Sequence, residues 1–351
     1  MYKRQGETAS CSADVACLLT KLNAEKVTGI ILDLRRNGGG SLQEAIDLTG
    51  LFIPSGPVVQ TRNPEGRLET GMDRDEKVAY GGPLVVLTSR FSASASEILA
   101  GALQDYGRAV IAGDSSTFGK GTVQTIIPLA KVMRGQGMVP GSDPGALKVT
   151  ISKFYRPSGK STQLEGVKAD IVIPSLTDQP EIGECDLIDP LPWDTIPAAT
   201  FTPADRVSAS LADLRARSQE RVAKDPDFAE LKTDIDHLRK LRTDKSVSLN
   251  EGKRQQEKTE LKARREAAKK DRLARNTTPP AAYQVTLRNV SMPGPGEPVK
   301  PKPSREESET DQPISTETTP AVADDIILHE AERILIDYAC LLKDQPEISQ
   351  R

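Results

Sequence analysis

Two short stretches contain the residue types needed for nucleophilic chemistry. The first, RFSASASEI at residues 90–98, presents Ser94 where a turn is predicted to become a helix. The second, TFGKGTVQ at residues 117–124, places Lys120 between two glycines. A serine hydroxyl attacks a carbonyl when a base takes its proton, and a lysine amine can be that base when burial lowers its pKa towards neutrality. The two stretches therefore predict a serine–lysine hydrolytic centre.

Lysine is favoured as the base because other candidates are poorly placed. The two histidines, His237 and His329, both lie in the charged C-terminal half, away from every glycine-rich motif. A Ser-His-Asp triad is therefore hard to build around Ser94. No acidic residue lies within five positions of Lys120 to hold its amine in the charged form.

Acyl transfer also needs backbone N–H donors for the developing oxyanion. Ala95 follows the serine at a predicted helix start, where N–H groups have no partner within the helix. A glycine turn at Gly38, Gly39 and Gly40 precedes another predicted helix and can supply a second donor. Both features follow predicted strands, and open α/β sheets place their sites at the carboxyl ends of strands.

Each of these features has a structural interpretation that stays open. Ser94 and Glu97 match the capping-box pattern, so Ser94 can be a helix cap and nothing more. The glycines at 38–40 can form a tight turn or a phosphate cradle, although neither GxGxxG nor GxxxxGK[ST] occurs there. An isolated lysine is most often a surface residue. The joint interpretation is favoured because the three features occupy matching places in successive strand–turn–helix units.

The hydrophobic pattern predicts an α/β domain that ends near residue 180. Short apolar runs alternate with segments of helical spacing, as in repeated βαβ units. The predicted helices span residues 12–22, 41–52 and 93–106, and the predicted strands of one sheet span 27–34, 84–88, 109–113, 122–127, 147–154 and 170–174.

Composition narrows the class of protein. The chain has 351 residues, and its 37% hydrophobic and 4% aromatic content are low, which predicts that part of it is not packed into a core. The net charge of −3 indicates no general attraction to nucleic acid or membrane. No apolar run reaches the ~18 residues of a membrane span, and no signal peptide follows Met1. The four cysteines form no CxxC pair, so neither a metal nor a cofactor is predicted.

The C-terminal half has a different character. Residues 205–275 are charged with helical spacing, and residues 251–275 carry an excess of Lys and Arg. Nucleic-acid contact is one interpretation of that excess, but a solvated helix with mixed charges is favoured, so no nucleic-acid partner is predicted. Residues 276–323 are rich in Pro, Ser, Thr and Glu, which predicts a flexible linker. An amphipathic helix follows and is expected to dock back onto the body.

Three ordered blocks resemble a known family. DLRRNGGG at 33–40, SASASEI at 92–98 and FGKGTVQ at 118–124 are similar to the signature blocks of the C-terminal processing peptidases, and in particular of the tail-specific proteases. The resemblance extends to LPWD at 191–194, to AKDP at 223–226 and to the helix after Asp325.

The resemblance implies an endopeptidase with a Ser/Lys dyad on a crotonase-like (ClpP/crotonase-type) α/β core with a mainly helical C-terminal region. Ser94 would be the nucleophile, Lys120 the general base and Gln124 an accessory polar group, while Ala95 and the turn at 38–40 would form the oxyanion hole. The family is also described with an Asp in a charge relay, which corresponds to Asp105. Ser94 and Asp105 are about 16 Å apart along a helix, which argues against a hydrogen bond between them.

The resemblance also implies partners and a location. The expected substrates are proteins or peptides with apolar, unstructured C-termini, including membrane-associated envelope proteins, in a bacterial periplasm or similar envelope space. Family members carry a signal sequence, an N-terminal helical region and a PDZ domain, and the match here begins at about the end of that PDZ domain. The chain is therefore expected to be the C-terminal part of a longer protease, with an adaptor or the missing region as partner. The alternative is an inactive peptidase-fold fragment or a binding module.

These patterns divide the chain into six predicted parts. They are an N-terminal segment at 1–25, a peptidase core at 26–180, a connector at 181–204, a charged helical region at 205–275, a flexible linker at 276–323 and a docking helix at 324–345.

Overall fold

The computed structural model describes residues 10–132, 143–244, 246, 248–275, 281–299 and 325–344. Its strands are β1 Ile30–Asp33, β2 Gly56–Arg62, β3 Leu68–Asp73, β4 Leu84–Thr88, β5 Val110–Gly113, β6 Thr122–Pro128, β7 Ala146–Tyr155, β8 Ile171–Val172, β9 Tyr283–Gln284 and β10 Glu297–Pro298. Its α-helices are α1 Cys11–Ala24, α2 Leu42–Gly50, α3 Ala95–Asp105, α4 Leu129–Val132, α5 Ser208–Lys224, α6 Pro226–Asp244, α7 Glu251–Arg275 and α8 Ile326–Asp344.

The predicted strand–turn–helix units form a parallel sheet with the order β1-β4-β5-β8. All five residues of β4 are buried, as expected for an apolar strand covered on both faces. The prediction of one continuous sheet was wrong for β6 and β7. They pair antiparallel with each other in a second sheet, ordered β3-β2-β7-β6. Alternating hydrophobicity predicts a strand but not the neighbour with which it pairs.

The hairpin of β2 and β3 was not predicted from the sequence. Its two strands pair antiparallel, and β3 is mostly exposed, so β3 lacks the apolar pattern of a buried strand. The hairpin packs against α2 and α3 and so encloses one side of the domain.

The parallel sheet separates two hydrophobic cores. Leu84 and Val86 of β4 pack into the core that contains α2, α3 and β2, whereas Val85 and Leu87 pack into the core that contains α5 and α8. Because successive side chains of a strand point to opposite faces, one strand contributes to both cores. The helix α8, which corresponds to the amphipathic segment predicted at 324–345, thus covers the second face of the sheet.

The charged region at 205–275 forms three helices, α5 to α7. Within the predicted linker at 276–323, residues 281–299 contain the short β9–β10 ladder, and the carbonyl of Met292 accepts a hydrogen bond from the Lys21 ammonium of α1 at 2.7 Å. Residues 276–280 and 300–324 lie outside the described residues, and the predicted division of the chain stays a prediction. Among the residues that are described, no helix has the length and apolar character needed to span a bilayer.

Candidate active site

Ser94 occupies the turn that joins the buried strand β4 to α3. Its φ of 58° and ψ of −115° lie in a region that residues with a side chain rarely adopt, and such a conformation costs about 1–3 kcal/mol. A serine held on a sharp, strained strand-to-helix turn is how α/β hydrolases expose a nucleophile. The residue stands directly before Ala95, the first residue of α3.

The predicted glycine turn packs against this serine. Gly39 has a φ of 97°, and a Cβ added to it would lie 2.8 Å from the Cβ of Ser94, so only glycine fits this close approach. The backbone carbonyl of Asn37 accepts hydrogen bonds from the Ala93 N–H at 3.1 Å and from the Ser96 hydroxyl at 2.8 Å. The turn and the serine loop are therefore locked together.

The backbone N–H groups of Ala95 and Gly39, both close to Ser94, differ in their availability. The Ala95 N–H has no hydrogen-bond acceptor among the described residues. The Gly39 N–H is already used, since it donates to the side-chain oxygen of Asn37 at 3.0 Å. Open space surrounds the Cβ positions of Gly38 and Gly40. The Ala95 N–H is thus available to a further acceptor, and open space lies beside the turn.

Lys120 lies on the segment that leads into β6. Its Nζ donates to the Gln124 side-chain oxygen at 3.1 Å. Burial lowers the pKa of Lys120, and the positive charge of Lys148 lowers it further, whereas Glu184 and Glu97 act in the opposite direction. The hydrogen bonds of the described residues include none between the Ser94 hydroxyl and the Lys120 amine. In this state the amine is held by Gln124 instead.

A buried carboxylate that the sequence did not single out connects the two segments. Glu97 is fully buried. Its Oε2 accepts the backbone N–H of Ser94 at 2.7 Å and of Lys120 at 3.0 Å. Its Oε1 accepts the Thr117 hydroxyl at 2.6 Å and the Gly119 N–H at 2.7 Å. One side chain thus holds the serine turn and the lysine segment at a fixed separation.

The signal for Glu97 was present in the sequence but was assigned a smaller role. The Ser-x-x-Glu pattern was interpreted as a helix cap, and Glu97 does accept the N–H of the N-cap residue Ser94. Burial raises the pKa of Glu97 to about 7, against the four donors, which favour the ionised form. The same carboxylate therefore caps α3 and links the two segments.

Asp105 lies at the other end of α3, as helix geometry predicted. Its carboxylate forms an ion pair with Arg156 and accepts the Ser158 N–H at 3.0 Å. These contacts fix the turn after β7, and further along the chain the Thr162 hydroxyl donates to the carbonyl of Lys120 at 2.8 Å. Asp105 therefore contacts the turn after β7, and the hydrogen bonds of the described residues include none between Asp105 and Ser94.

Replacing Asp105 with Asn is expected to lower the stability of the fold much more than the rate of catalysis. The Asp105 and Arg156 side chains are only 9% and 13% exposed. Removing one partner of such a pair leaves a buried charge and costs about 3 kcal/mol. Denaturant unfolding should show this loss, while kcat/KM per folded molecule stays within about tenfold of the parent. A loss of about a thousandfold in fully folded protein would instead place Asp105 in the reaction.

Comparisons with family models and with curated proteins all match proteases. Residues 6–173 match the family model described as peptidase family S41, and residues 177–339 match that of the C-terminal domain of tail specific protease. The tail-specific protease of Haemophilus influenzae is 43% identical over 255 residues, which cover 72% of this chain and 36% of that protein. The carboxy-terminal-processing protease of Bartonella bacilliformis is 42% identical over 170 residues, 46% of this chain and 34% of that protein.

Solved structures give a partial match as well. The photosystem II D1 C-terminal processing protease aligns with a TM-score of 0.41 and 31% identity, over 50% of this chain and 42% of that one. The aligned part of the chain corresponds to only about a third of the length of the two curated relatives described above.

Proposed function

The chain belongs to the C-terminal processing (tail-specific) protease family, and we propose that it is a serine endopeptidase with Ser94 as nucleophile and Lys120 as general base. The observation that carries the proposal is the buried carboxylate of Glu97, which binds the backbone N–H groups of both residues. Since the two segments are separated by α3 and β5, their union by one side chain favours a shared task over two unrelated turns.

In the proposed reaction, the neutral amine of Lys120 takes the proton of the Ser94 hydroxyl as the oxygen attacks the scissile carbonyl carbon. The carbonyl oxygen becomes an oxyanion and accepts a hydrogen bond from the Ala95 N–H, with the turn at 38–40 beside it. The Lys120 ammonium then gives its proton to the leaving amine as the C–N bond breaks. This step leaves an ester between Ser94 and the acyl part of the substrate.

Hydrolysis of that ester repeats the same two steps, with water in place of the serine hydroxyl. Lys120, neutral again, takes a proton from water, whose oxygen attacks the ester carbonyl. Collapse of the second tetrahedral intermediate returns the proton to Ser94 and releases the new C-terminal acid. Gln124 holds the Lys120 amine between these events, since it accepts a hydrogen bond from it at 3.1 Å.

Finer features are also part of the proposal. From the resemblance we infer a crotonase-like arrangement of the core at 26–180, substrates with apolar and unstructured C-termini, and action in a periplasmic or envelope space. The parallel sheet flanked by helices, with the serine turn at the carboxyl end of β4, supports the first of these. The alternative of an inactive fragment or binding module predicts no cleavage by folded protein.

Two charge-removing variants test Lys120 as base. Lys148→Gln removes a charge that lowers the pKa of Lys120, so the pKa should rise and the midpoint of the pH–rate profile should move to higher pH. Glu184→Gln removes a charge that raises the pKa, so the midpoint should move to lower pH. The base acts when neutral, and the rate therefore rises with pH through this midpoint. The measurement is kcat/KM for an unfolded, apolar-tailed protein from pH 6 to pH 10 at low ionic strength.

The two variants control for each other, because each removes one charge and their effects have opposite signs. Addition of salt should shrink the Lys148→Gln effect most, since Lys148 is exposed and therefore screened. Equal shifts in one direction, or no shift in either variant, would mean that Lys120 is not the group that titrates. A folded parent chain that cleaves nothing would support the inactive-fragment alternative.

A further inference from the structure

Arg35 links the strand that precedes the glycine turn to the start of the C-terminal helix. Its two terminal guanidinium nitrogens donate to the Asp325 carboxylate at 3.0 and 2.7 Å. The same side chain is also bound by Asp33, so it is held from two sides. Arg35 and Asp325 are 16% and 4% exposed, which leaves little solvent to screen the pair.

Asp325 reaches this position because α8 is packed into the second core. Ala331, Ile334 and Tyr338 of α8 are fully buried against the parallel sheet and α5. Asp325 itself caps the helix, since its side chain accepts the Leu328 N–H at 2.9 Å. The carboxylate that meets Arg35 is therefore rigidly placed by the docking of α8.

The backbone on both sides of Arg35 is hydrogen-bonded to the loop that carries Ser94. The carbonyl of Arg35 accepts the Ser89 hydroxyl, and that of Leu34 accepts the Ser92 hydroxyl at 2.7 Å. Two residues later, Asn37 binds Ala93 and Gly39 as described above. The segment from Leu34 to Asn37 is thus bound to the serine loop through its backbone and to the start of α8 through the Arg35 side chain.

From this continuity we propose that Asp325 is a positioning residue for peptide hydrolysis. Through Arg35 it holds the turn at 37–40 against Ser94. The turn is therefore correctly placed beside the oxyanion only when α8 is docked. The proposal rests on the proposed function for its catalytic consequence, but the coupling between α8 and the turn can be measured without turnover.

Asp325→Ser is the informative variant, because serine keeps an N-cap oxygen for α8 but cannot reach Arg35. The matched control is Asp337→Ser on the same helix, which breaks ion pairs with Arg217 and Arg221 of α5 rather than the contact with Arg35. Both variants are made in the full chain. Thermal unfolding and circular dichroism establish that both remain folded, and Asp325→Thr, which also caps a helix, replaces the serine variant if it does not fold.

The first readout is amide hydrogen exchange of Gly39 and Ala93, whose N–H groups both donate to Asn37. Exchange at these amides is expected to be about tenfold faster in Asp325→Ser and unchanged in Asp337→Ser, because local opening follows the loss of local contacts. The second readout is kcat, expected to fall about 10- to 100-fold in Asp325→Ser with little change in KM, as for an interaction made in the transition state.

Unchanged exchange in Asp325→Ser, or equal acceleration in Asp337→Ser, would overturn the proposal whatever the activity. Faster exchange with parent-like kcat would also overturn it, because the turn would then not limit the reaction. Faster exchange in a chain whose parent shows no hydrolysis would confirm the coupling and reject the proposed function instead. The two failures are therefore distinguishable.

Discussion

Ser94→Gly is expected to abolish peptide hydrolysis and, at the same time, to make the protein more stable. Loss of a nucleophilic serine costs about 10⁶-fold in kcat. Ser94 has a φ of 58° and a ψ of −115°, a conformation that glycine adopts without steric cost. Relief of about 1–3 kcal/mol of strain exceeds the ~0.5–1 kcal/mol that glycine loses through the entropy of the unfolded chain. A net gain of about 1 kcal/mol in unfolding free energy follows.

Ser94→Ala is the matched control. Alanine lacks the hydroxyl but keeps the Cβ, so hydrolysis should be lost to the same degree while the strain remains. The unfolding free energies of the three proteins, measured in denaturant at one pH, should therefore rank glycine above alanine and serine. Glycine and alanine variants of equal stability would show that the turn stores no strain. Residual cleavage at the parent rate in either variant would exclude Ser94 as nucleophile.

Such a strained serine is the kind of feature that a sequence reveals only in part. The strand at 84–88 was predicted with its observed bounds, because a continuous apolar run between turn signals has few other structures open to it. The helix after it was predicted within two residues at each end. The position of Ser94 followed from these two elements, whereas its backbone conformation depends on the close approach of Gly39.

Long-range contacts account for what the sequence did not predict. The four bonds of Glu97 join residues from two segments, and a local pattern could show only the one to Ser94. The pairing of β6 with β7 in a second sheet and the mostly exposed strand β3 have the same origin. The link from Arg35 to Asp325 spans 290 positions and has no local signature at all.

Glu97→Gln is expected to produce the second large effect, on both activity and stability. Each carboxylate oxygen of Glu97 accepts two hydrogen bonds from donors. An amide group offers one oxygen and one NH₂ group, so two donors would face a donor and lose their partner. Each buried group left unsatisfied costs about 1–3 kcal/mol, and the resulting displacement of Lys120 from Ser94 is expected to lower kcat about 100-fold.

The pH dependence of stability gives a second readout for Glu97. Burial raises the pKa of Glu97 from 4.5 to about 7. Between these values the folded protein holds a proton that the unfolded chain releases, so the contribution of this group to stability falls as pH rises through the window. An amide does not titrate. The decline in unfolding free energy from pH 4.5 to pH 7 should therefore be smaller in Glu97→Gln than in the parent.

Glu44→Gln supplies the control, because Glu44 occupies the same position in the first turn of α2 that Glu97 occupies in α3. The Glu44 carboxylate accepts the Ser12 N–H at 2.8 Å and has no contact with the segments of Ser94 or Lys120 among the described residues. The same substitution there should lower stability by about 1 kcal/mol and leave kcat unchanged. If the two variants lowered kcat equally, the effect of Glu97 would be one of helix capping, and the carboxylate would not be what holds the lysine to the serine.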